Sequence, residues 1–220
     1  MNFDDFDQEA QNASLGEELI HSLARSAFDN NVDFLPEGFV DELLTKDNVR
    51  AELGCPPEMK KLEETALKFI FGEDENPKGD RAKKLFVIAL MAGITADSLK
   101  LTKVMGRFLN ANIRDSSLPI KNTVENTAFY DPKGNPQPPW TIIMIHNFIE
   151  KQWTVIAPVF TDQNLEHKLD EKCILPIVEK VGGLDEGAFG EVIQVAIHKR
   201  HNLNPIIKVG NNVSRLPPRC

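Results

Sequence analysis

The feature that most constrains the fold is an uninterrupted apolar segment, Leu85–Ala92, which follows Lys83 and Lys84. A helix over this segment is apolar around its whole circumference, so neighbouring elements have to cover it on every side. Its eight residues are too few to cross a bilayer, which needs about 20. The segment therefore predicts the central helix of a helical bundle.

Amphipathic segments on either side predict the helices that would surround it. Ser14 and Glu17 have the spacing of a capping box, and the apolar positions after them predict one helix that extends to Phe28. Asp80 is expected to cap the central helix. Further helices are predicted from Pro36, over Asp47–Leu53, over Pro57–Phe71 and from Thr95.

The second half of the chain has a different composition. Residues 110–139 are rich in Asn, Asp, Gly, Ser and Pro, which indicates a long irregular connection. Trp140–Phe148 suits a strand or a helix, and a helix is favoured. Trp153–Phe160 is predicted to be a strand or an extended core segment, and Val192–Ile197 is predicted to be a strand. We therefore predict a mainly α fold, with a disordered tail over residues 1–13, a helical domain over residues 14–165 and a small β segment over residues 166–220.

Charge and cysteine content narrow the classes of function. The net charge of −8 argues against a general binder of nucleic acid or of anionic membranes. Cys55, Cys173 and Cys220 have no close spacing, which favours a reduced, intracellular protein in the cytoplasm or nucleus over a disulfide scaffold. The first residues are acidic, so no secretory signal is expected.

A glycine-rich stretch, Gly187-Ala188-Phe189-Gly190-Glu191-Val192, carries the main functional signal, and Lys208 lies eighteen residues after its second glycine. Glycine adopts positive φ freely and lets backbone N–H groups approach phosphate oxygens. Gly187 and Gly190 would do so in a hairpin with Phe189 at its tip. Val192 would cover a purine, and Lys208 would contact the α- and β-phosphates from a third strand. A glycine-rich hairpin without a ligand is the alternative.

The tail beyond this loop is basic. After Glu191 the sequence has no acidic residue, but it has five basic ones: Lys199, Arg200, Lys208, Arg215 and Arg219. This asymmetry is compatible with a solvated basic end or with neutralisation of a bound polyphosphate.

Taken in order, several segments resemble the helical N-terminal extension and first strands of serine/threonine protein kinase-like proteins of filamentous fungi. The resemblance covers residues 33 to 201 and is carried by Leu35–Thr45, Gln152–Phe160, Ile174–Pro176, Ala188–Val192, Ile197, His198 and His201. It implies an incomplete kinase-like N-lobe over residues 166–220 that binds ATP weakly, with no metal. The nucleotide-binding residues that it implies are Gly187, Ala188, Phe189, Gly190, Val192 and Lys208.

The sequence departs from this family at two positions. Asp185 stands where the family has its first loop glycine, and Ile206 replaces a small residue two positions before Lys208. A carboxylate ~4 Å from a phosphate oxygen is repelled by about 1 kcal/mol in water. Twelve residues follow Lys208, which leaves no room for the catalytic and metal-binding aspartates of a kinase. The chain is expected to be a truncated, pseudokinase-like fragment without phosphotransfer activity of its own.

One other function stays open. The helices would also suit a non-catalytic interaction module that binds an unknown protein partner through the helical domain. His198 and His201 form H-x-x-H, but residues at this spacing on a strand do not converge on a metal, and no third ligand is near. No metal is expected.

Overall fold

The structure is a computed structural model that describes residues 14–28, 32–74, 80–95, 97–161, 169–187, 190–203 and 214–215. It is mainly α, as predicted, with a small β segment toward the C-terminus. The described residues contain helices α1 (Leu15–His21), α2 (Phe39–Leu43), α3 (Lys46–Leu53), α4 (Lys60–Phe71), α5 (Lys83–Met91), α6 (Lys100–Asn110) and α7 (Ile142–Val155). Their strands are β1 (Ala24–Arg25), β2 (Asp33–Phe34), β3 (Ile177–Gly187), β4 (Gly190–Ile197) and β5 (Ser214–Arg215).

The chain divides into two compact units. The first unit comprises residues 1–22 and 40–149, and the second comprises residues 23–39 and 150–220. This division differs from the boundary predicted near residue 165, because a segment near the N-terminus joins the C-terminal segment. The predicted disordered tail, residues 1–13, lies outside the described residues.

Helix α5 is the centre of the first unit. Its residues Leu85 to Ala89 are all fully buried, and the helix contacts α1, α4 and α6. Each large apolar side chain buried in this way contributes about 1.5–3 kcal/mol. The prediction that this segment forms the central helix of a bundle is confirmed.

Helix α1 begins as predicted but ends early. The Ser14 Oγ accepts from the Glu17 amide at 3.3 Å, and the Ser14 amide donates to Glu17 Oε2 at 2.9 Å, which completes a capping box. The prediction that the helix extends to Phe28 is wrong: α1 ends at His21, and β1 pairs antiparallel with β2 after it. The Ser22 hydroxyl donates to the Glu18 carbonyl at 2.8 Å, a local bond that competes with helix continuation.

Other helix ends follow local chemistry more closely. Helices α3 and α4 end at Gly54 and Gly72, whose φ angles of 55° and 71° are left-handed.

The helix starts predicted at Pro36, Pro57 and Thr95 are too early. The corresponding α-helices begin at Phe39, Lys60 and Lys100, and the last two follow short 3-10 turns over Pro57–Met59 and Asp97–Leu99.

The cap of α5 is not the predicted one. The N-cap residue is Ala82, which makes no side-chain cap, and Asp80 accepts a hydrogen bond from the Ser116 hydroxyl instead. The carboxylate of Asp115 accepts from the Lys84 and Leu85 amides at 3.1 and 3.0 Å. The cap therefore comes from the irregular connection, about thirty residues further along the chain.

The segment Trp140–Phe148 lies mostly in α7, which confirms the helix over the strand. The strand alternative for Trp153–Phe160 is wrong, because Trp153–Val155 form the last turn of α7 and the following residues carry only an isolated bridge at Phe160. Before α7, the irregular connection adds Phe129 and Trp140 to the first unit's core. Their ring centroids lie 4.9 Å apart at right angles, and Phe108 and Phe148 complete the cluster.

Candidate functional site

The glycine-rich stretch forms the closed end of an antiparallel hairpin. Strands β3 and β4 pair from Ile177 opposite Ile197 to Gly187 opposite Gly190. The two glycines are thus the last pair of the hairpin, and Ala188 and Phe189, which lie outside the described residues, connect them. Val192 pairs with Leu184 two positions further along the hairpin. Glycine has no side chain, so at this last pair no side chain would stand between the backbone and a bound phosphate.

Asp185 occupies a β-bulge next to this end. Leu184 pairs with Val192 and Glu186 with Glu191, so Asp185 is an extra residue on β3 with no register partner. A bulge increases the local twist and changes the direction of the strand. Asp185 therefore lies where the hairpin departs from regular pairing.

The register also places acidic residues opposite each other near this end of the hairpin, which the sequence alone did not indicate. Glu186 and Glu191 are direct partners, and like charges opposite each other destabilise a sheet. Asp185, in the bulge, is a third acidic residue within two register positions of the glycine pair. Both glutamates are visible in the sequence, but only the register shows that they lie opposite each other.

Lys180 is the basic residue of β3, and β4 contains none. Its Nζ lies 5.3 Å from the centre of the Phe28 ring, within the range of a cation–π contact. The predicted site residue Lys208 lies outside the described residues, as does Ile206. On its other edge β4 pairs with β5, with Arg215 opposite Gln194 and Ser214 opposite Val195. The placement of Lys208 on a third strand stays a prediction.

The base of the hairpin packs on residues from the N-terminal part of the second unit. Leu175, Ile177 and Val195 form a buried cluster against Ala27 and Phe28. The Ala27 amide donates to the Ile177 carbonyl at 2.6 Å. The apolar spacing of Ala27 and Phe28 predicted a helix, because spacing does not reveal that they support a strand more than a hundred residues away.

His201 lies at the far end of β4, on a 3-10 turn over Lys199–His201, and is 1% exposed. The Glu37 amide donates to its Nε2 at 3.0 Å, and its Nδ1 lies 2.9 Å from the Pro158 carbonyl oxygen. Because Nε2 accepts, the proton must be on Nδ1, which donates to Pro158. Both ring nitrogens are therefore engaged within the protein, and His201 is a core histidine rather than a metal ligand.

His198 is also unsuited to the metal site that H-x-x-H suggests. Its Nδ1 accepts from the Arg200 amide at 3.3 Å. Burial, with the nearby His201, Arg200 and Lys199, lowers the pKa of His198. The two histidines lie on a turn rather than on the strand assumed from the sequence. Among the described residues no group of three or more His, Cys, Asp or Glu side chains could hold a metal ion.

The first unit offers two surface features. A groove of about 360 Å³ in the irregular connection mixes aliphatic residues such as Ile113 and Ile120 with polar ones such as Lys121 and Glu125. Ile142 and Ile143, in the first turn of α7, are 70% and 72% exposed. Their exposure and their adjacency in the chain make them candidates for a contact surface.

Comparison with protein-family models, curated proteins and solved structures found no significant match to this chain. No helix within the described residues is long and apolar enough to cross a membrane.

Proposed function

We propose that this chain is a protein kinase-like fragment whose glycine-rich hairpin binds ATP weakly and which does not transfer phosphate on its own. The observation that supports this is the Gly187–Gly190 pair at the closed end of β3 and β4. Backbone amides at such a pair can approach phosphate oxygens without an intervening side chain. In this proposal Ala188 and Phe189 cover the phosphates.

The remaining nucleotide contacts follow from the same resemblance. Val192 would cover the purine from the outgoing strand, and Lys208 would contact the α- and β-phosphates. The acidic residues Asp185, Glu186 and Glu191 oppose this binding, since each unit of like charge at ~4 Å costs about 1 kcal/mol in water. We therefore expect weak affinity for ATP.

Phosphoryl transfer needs groups that this sequence does not supply. A kinase uses a catalytic-loop H-R-D and a metal-binding D-F-G, and neither motif occurs in the 220 residues. The ATP site proposed here would thus bind a nucleotide without consuming it. Sequencing of the transcript past the codon for Cys220 checks this directly. If H-R-D and D-F-G motifs followed, the protein would be proposed to be an active kinase instead.

Thermal shift with millimolar ATP tests nucleotide binding. The wild type is expected to gain a small ATP-dependent shift, and Gly190→Val is expected to lose it because a branched side chain blocks the phosphates. Asp185→Gly should tighten binding about fivefold, the equivalent of about 1 kcal/mol. Gly106→Ala is the matched glycine control, since a Cβ there meets nothing within 4 Å. Absence of a shift in both the wild type and Asp185→Gly would reject the proposal.

A second function is favoured by the exposed isoleucines of α7. We propose that the helical unit binds an unidentified protein partner through Ile142 and Ile143, which are 70% and 72% exposed. Recovery of a partner from cell extract should fall when both residues are changed to glutamate. Ile20→Glu is the control, because Ile20 is 63% exposed on a different helix. If Ile20→Glu lowers recovery of the partner equally, the partner does not bind specifically through α7.

Cysteine content and net charge extend the proposal to the location of the protein and to the partners that it does not bind. Cys55 and Cys173 are free thiols, as in a reduced intracellular compartment. The net charge of −8 favours neither nucleic acid nor an anionic membrane surface as partner. We therefore propose a protein of the cytoplasm or nucleus, and an epitope-tagged chain followed by microscopy tests this location.

A further inference from the structure

The groove in the irregular connection of the first unit has no part in either proposed function. Its volume of about 360 Å³ falls within the range of small-molecule sites in proteins, which is roughly 300–1,000 Å³. The aliphatic side chains of Ile113, Pro119 and Ile120 line it together with six polar residues. Ile120 is 6% exposed, so an apolar group in the groove would lie against a well-buried side chain.

Asn126 fixes the shape of one part of this groove. Its amide donates to the Thr123 carbonyl at 3.0 Å, its Nδ2 donates to the Lys121 carbonyl at 3.4 Å, and its Oδ1 accepts from the Ala128 amide at 3.1 Å. Ala128 and the following Phe129 are fully buried, so this part is anchored to the core. A groove that is held in this way exists before a ligand arrives, which lowers the entropic cost of binding.

The segment that contributes Ser117 and Pro119 to the groove is held as well. Ser117 Oγ accepts from the Arg114 amide at 3.2 Å, and the Leu118 amide donates to the Asp115 carbonyl at 3.2 Å. This is the turn whose Asp115 carboxylate caps α5. Both parts of the groove are therefore tied to the helical unit.

The two charged side chains of the groove differ in whether they have a partner. The Glu125 carboxylate accepts from its own backbone amide and from the Thr123 hydroxyl, and these bonds lower its pKa. The Lys121 ammonium has no hydrogen-bond or ion-pair partner in the part of the chain that the structure describes. The groove therefore offers a cation beside aliphatic side chains, and a ligand can neutralise that cation.

We propose that this groove binds a small monocarboxylate with a branched aliphatic chain. The Lys121 ammonium pairs with the carboxylate through a charge-assisted hydrogen bond, and the chain lies against Ile113, Pro119 and Ile120. The Glu125 carboxylate repels a second negative charge, which disfavours dicarboxylates and phosphates. This site lies within the first unit and is independent of nucleotide binding at the glycine-rich hairpin.

NMR titration of the wild-type protein with 4-methylpentanoate tests the site. The amide signals of Ile113, Ile120 and Asn126 should shift together and saturate with a Kd of about 1 mM, as expected for a ligand of this size. The uncharged 4-methylpentanamide, and acetate, which lacks the aliphatic chain, should each bind at least about tenfold more weakly. The proposal is overturned if 4-methylpentanoate gives no saturable shift up to about 20 mM, or if the amide or acetate binds equally well.

A pair of lysine variants tests the role of the cation. Lys121→Met should weaken binding of 4-methylpentanoate at least about tenfold, because the charge-assisted hydrogen bond is lost. Lys133→Met is the matched control, since Lys133 is exposed in the same connection and does not line the groove. Its Kd should change by less than about twofold. An equal loss in both variants would mean that positive charge in general attracts the anion, and would refute the site.

Two sources supply this ligand chemistry: a free acid and the C-terminal leucine of a peptide. N-acetyl-leucine represents the second source and enters the same titration with the wild type and Lys121→Met. Tighter binding of N-acetyl-leucine than of 4-methylpentanoate would assign the groove to a peptide C-terminus, and weaker binding would assign it to a free acid. Binding of either ligand that Lys121→Met leaves unchanged would contradict the proposal.

Discussion

The carboxylate of Asp115 caps the amide of Leu85, 3.0 Å away and thirty residues earlier in the chain. The same carboxylate accepts from the Lys84 amide, and the Asp115 amide donates to the Arg81 carbonyl at 2.9 Å. These bonds satisfy amides that every helix start leaves without a partner. The central helix of the first unit therefore begins against a loop that follows α6.

This cap makes the stability of the protein depend on pH in a definite direction. Burial raises the pKa of Asp115 from its ordinary value of 3.8 to about 6, although the Lys84 and Leu85 amides oppose the rise. The folded carboxyl binds its proton more tightly than the unfolded one, so the free energy of unfolding falls as pH rises from about 4 to about 6. A rise of about two pKa units corresponds to a change of about 3 kcal/mol in the free energy of unfolding across this interval.

Asp115→Asn should remove this dependence, since an amide does not titrate in this range. Urea unfolding at about pH 4 and about pH 7 should give a wild-type-minus-variant difference that falls by up to about 3 kcal/mol at the higher pH. Other titrating groups contribute equally to both proteins and cancel. A difference that is the same at both pH values would contradict the assignment to Asp115.

The ion pair next to this cap predicts a large effect of mutation. Arg114 Nη2 lies 2.5 Å from Asp74 Oδ2, and the two side chains are 7% and 18% exposed. Arg114→Met leaves the Asp74 carboxylate without its partner and should lower the free energy of unfolding by about 3–5 kcal/mol. Addition of Asp74→Asn should restore part of that loss.

An exposed arginine supplies the control for this experiment. Arg25 pairs with Asp33, but the two side chains are 73% and 36% exposed, and solvent screens such pairs. Arg25→Met should change the free energy of unfolding by less than about 1 kcal/mol. A comparable loss in both arginine variants would show that burial of the Arg114 pair is not the decisive factor.

The difference between local and distant determinants explains which features the sequence predicts. The capping box of Ser14 and Glu17 and the end of α4 at Gly72 depend on residues within one turn, and both are predictable. The Asp115 cap depends on where a loop returns, and the placement of Ala27 depends on a strand far along the chain. Apolar spacing carries no information about either partner.

The features of the candidate site likewise divide into those that local sequence predicts and those that depend on distant pairing. The G-x-x-G spacing predicts a hairpin, and the pairing of Gly187 with Gly190 agrees with it. The bulge at Asp185 and the opposition of Glu186 to Glu191 depend on register, which single residues do not specify. Nucleotide binding at this end stays a prediction.

The aromatic cluster of the first unit predicts a second large loss of stability. Phe129 is fully buried, and its ring lies 4.9 Å from that of Trp140. Phe129→Ala leaves a cavity and should cost about 3–5 kcal/mol in urea unfolding. Ile143→Ala, at a position that is 72% exposed, should change stability by less than about 0.5 kcal/mol. Similar losses would indicate that the connection before α7 is not part of the core.

The support of β3 by Ser26 predicts a local effect. The Ser26 hydroxyl donates to the Leu175 carbonyl at 2.8 Å and accepts from the Phe28 amide at 3.3 Å, and the residue is 2% exposed. Ser26→Ala leaves both partners without this bond and should cost about 1–2 kcal/mol. The loss should be visible as faster hydrogen exchange of the Ile177 and His198 amides, which bond around the start of β3.

The reference for this effect is a serine that makes a similar bond elsewhere. The Ser22 hydroxyl donates to the Glu18 carbonyl at 2.8 Å at the end of α1, so Ser22→Ala should leave exchange of the Ile177 and His198 amides unchanged. Exchange of the Phe86 amide, within the central helix, should be unaffected by Ser26→Ala. Uniform acceleration at all three amides would mean that Ser26 stabilises the whole chain rather than the base of the hairpin.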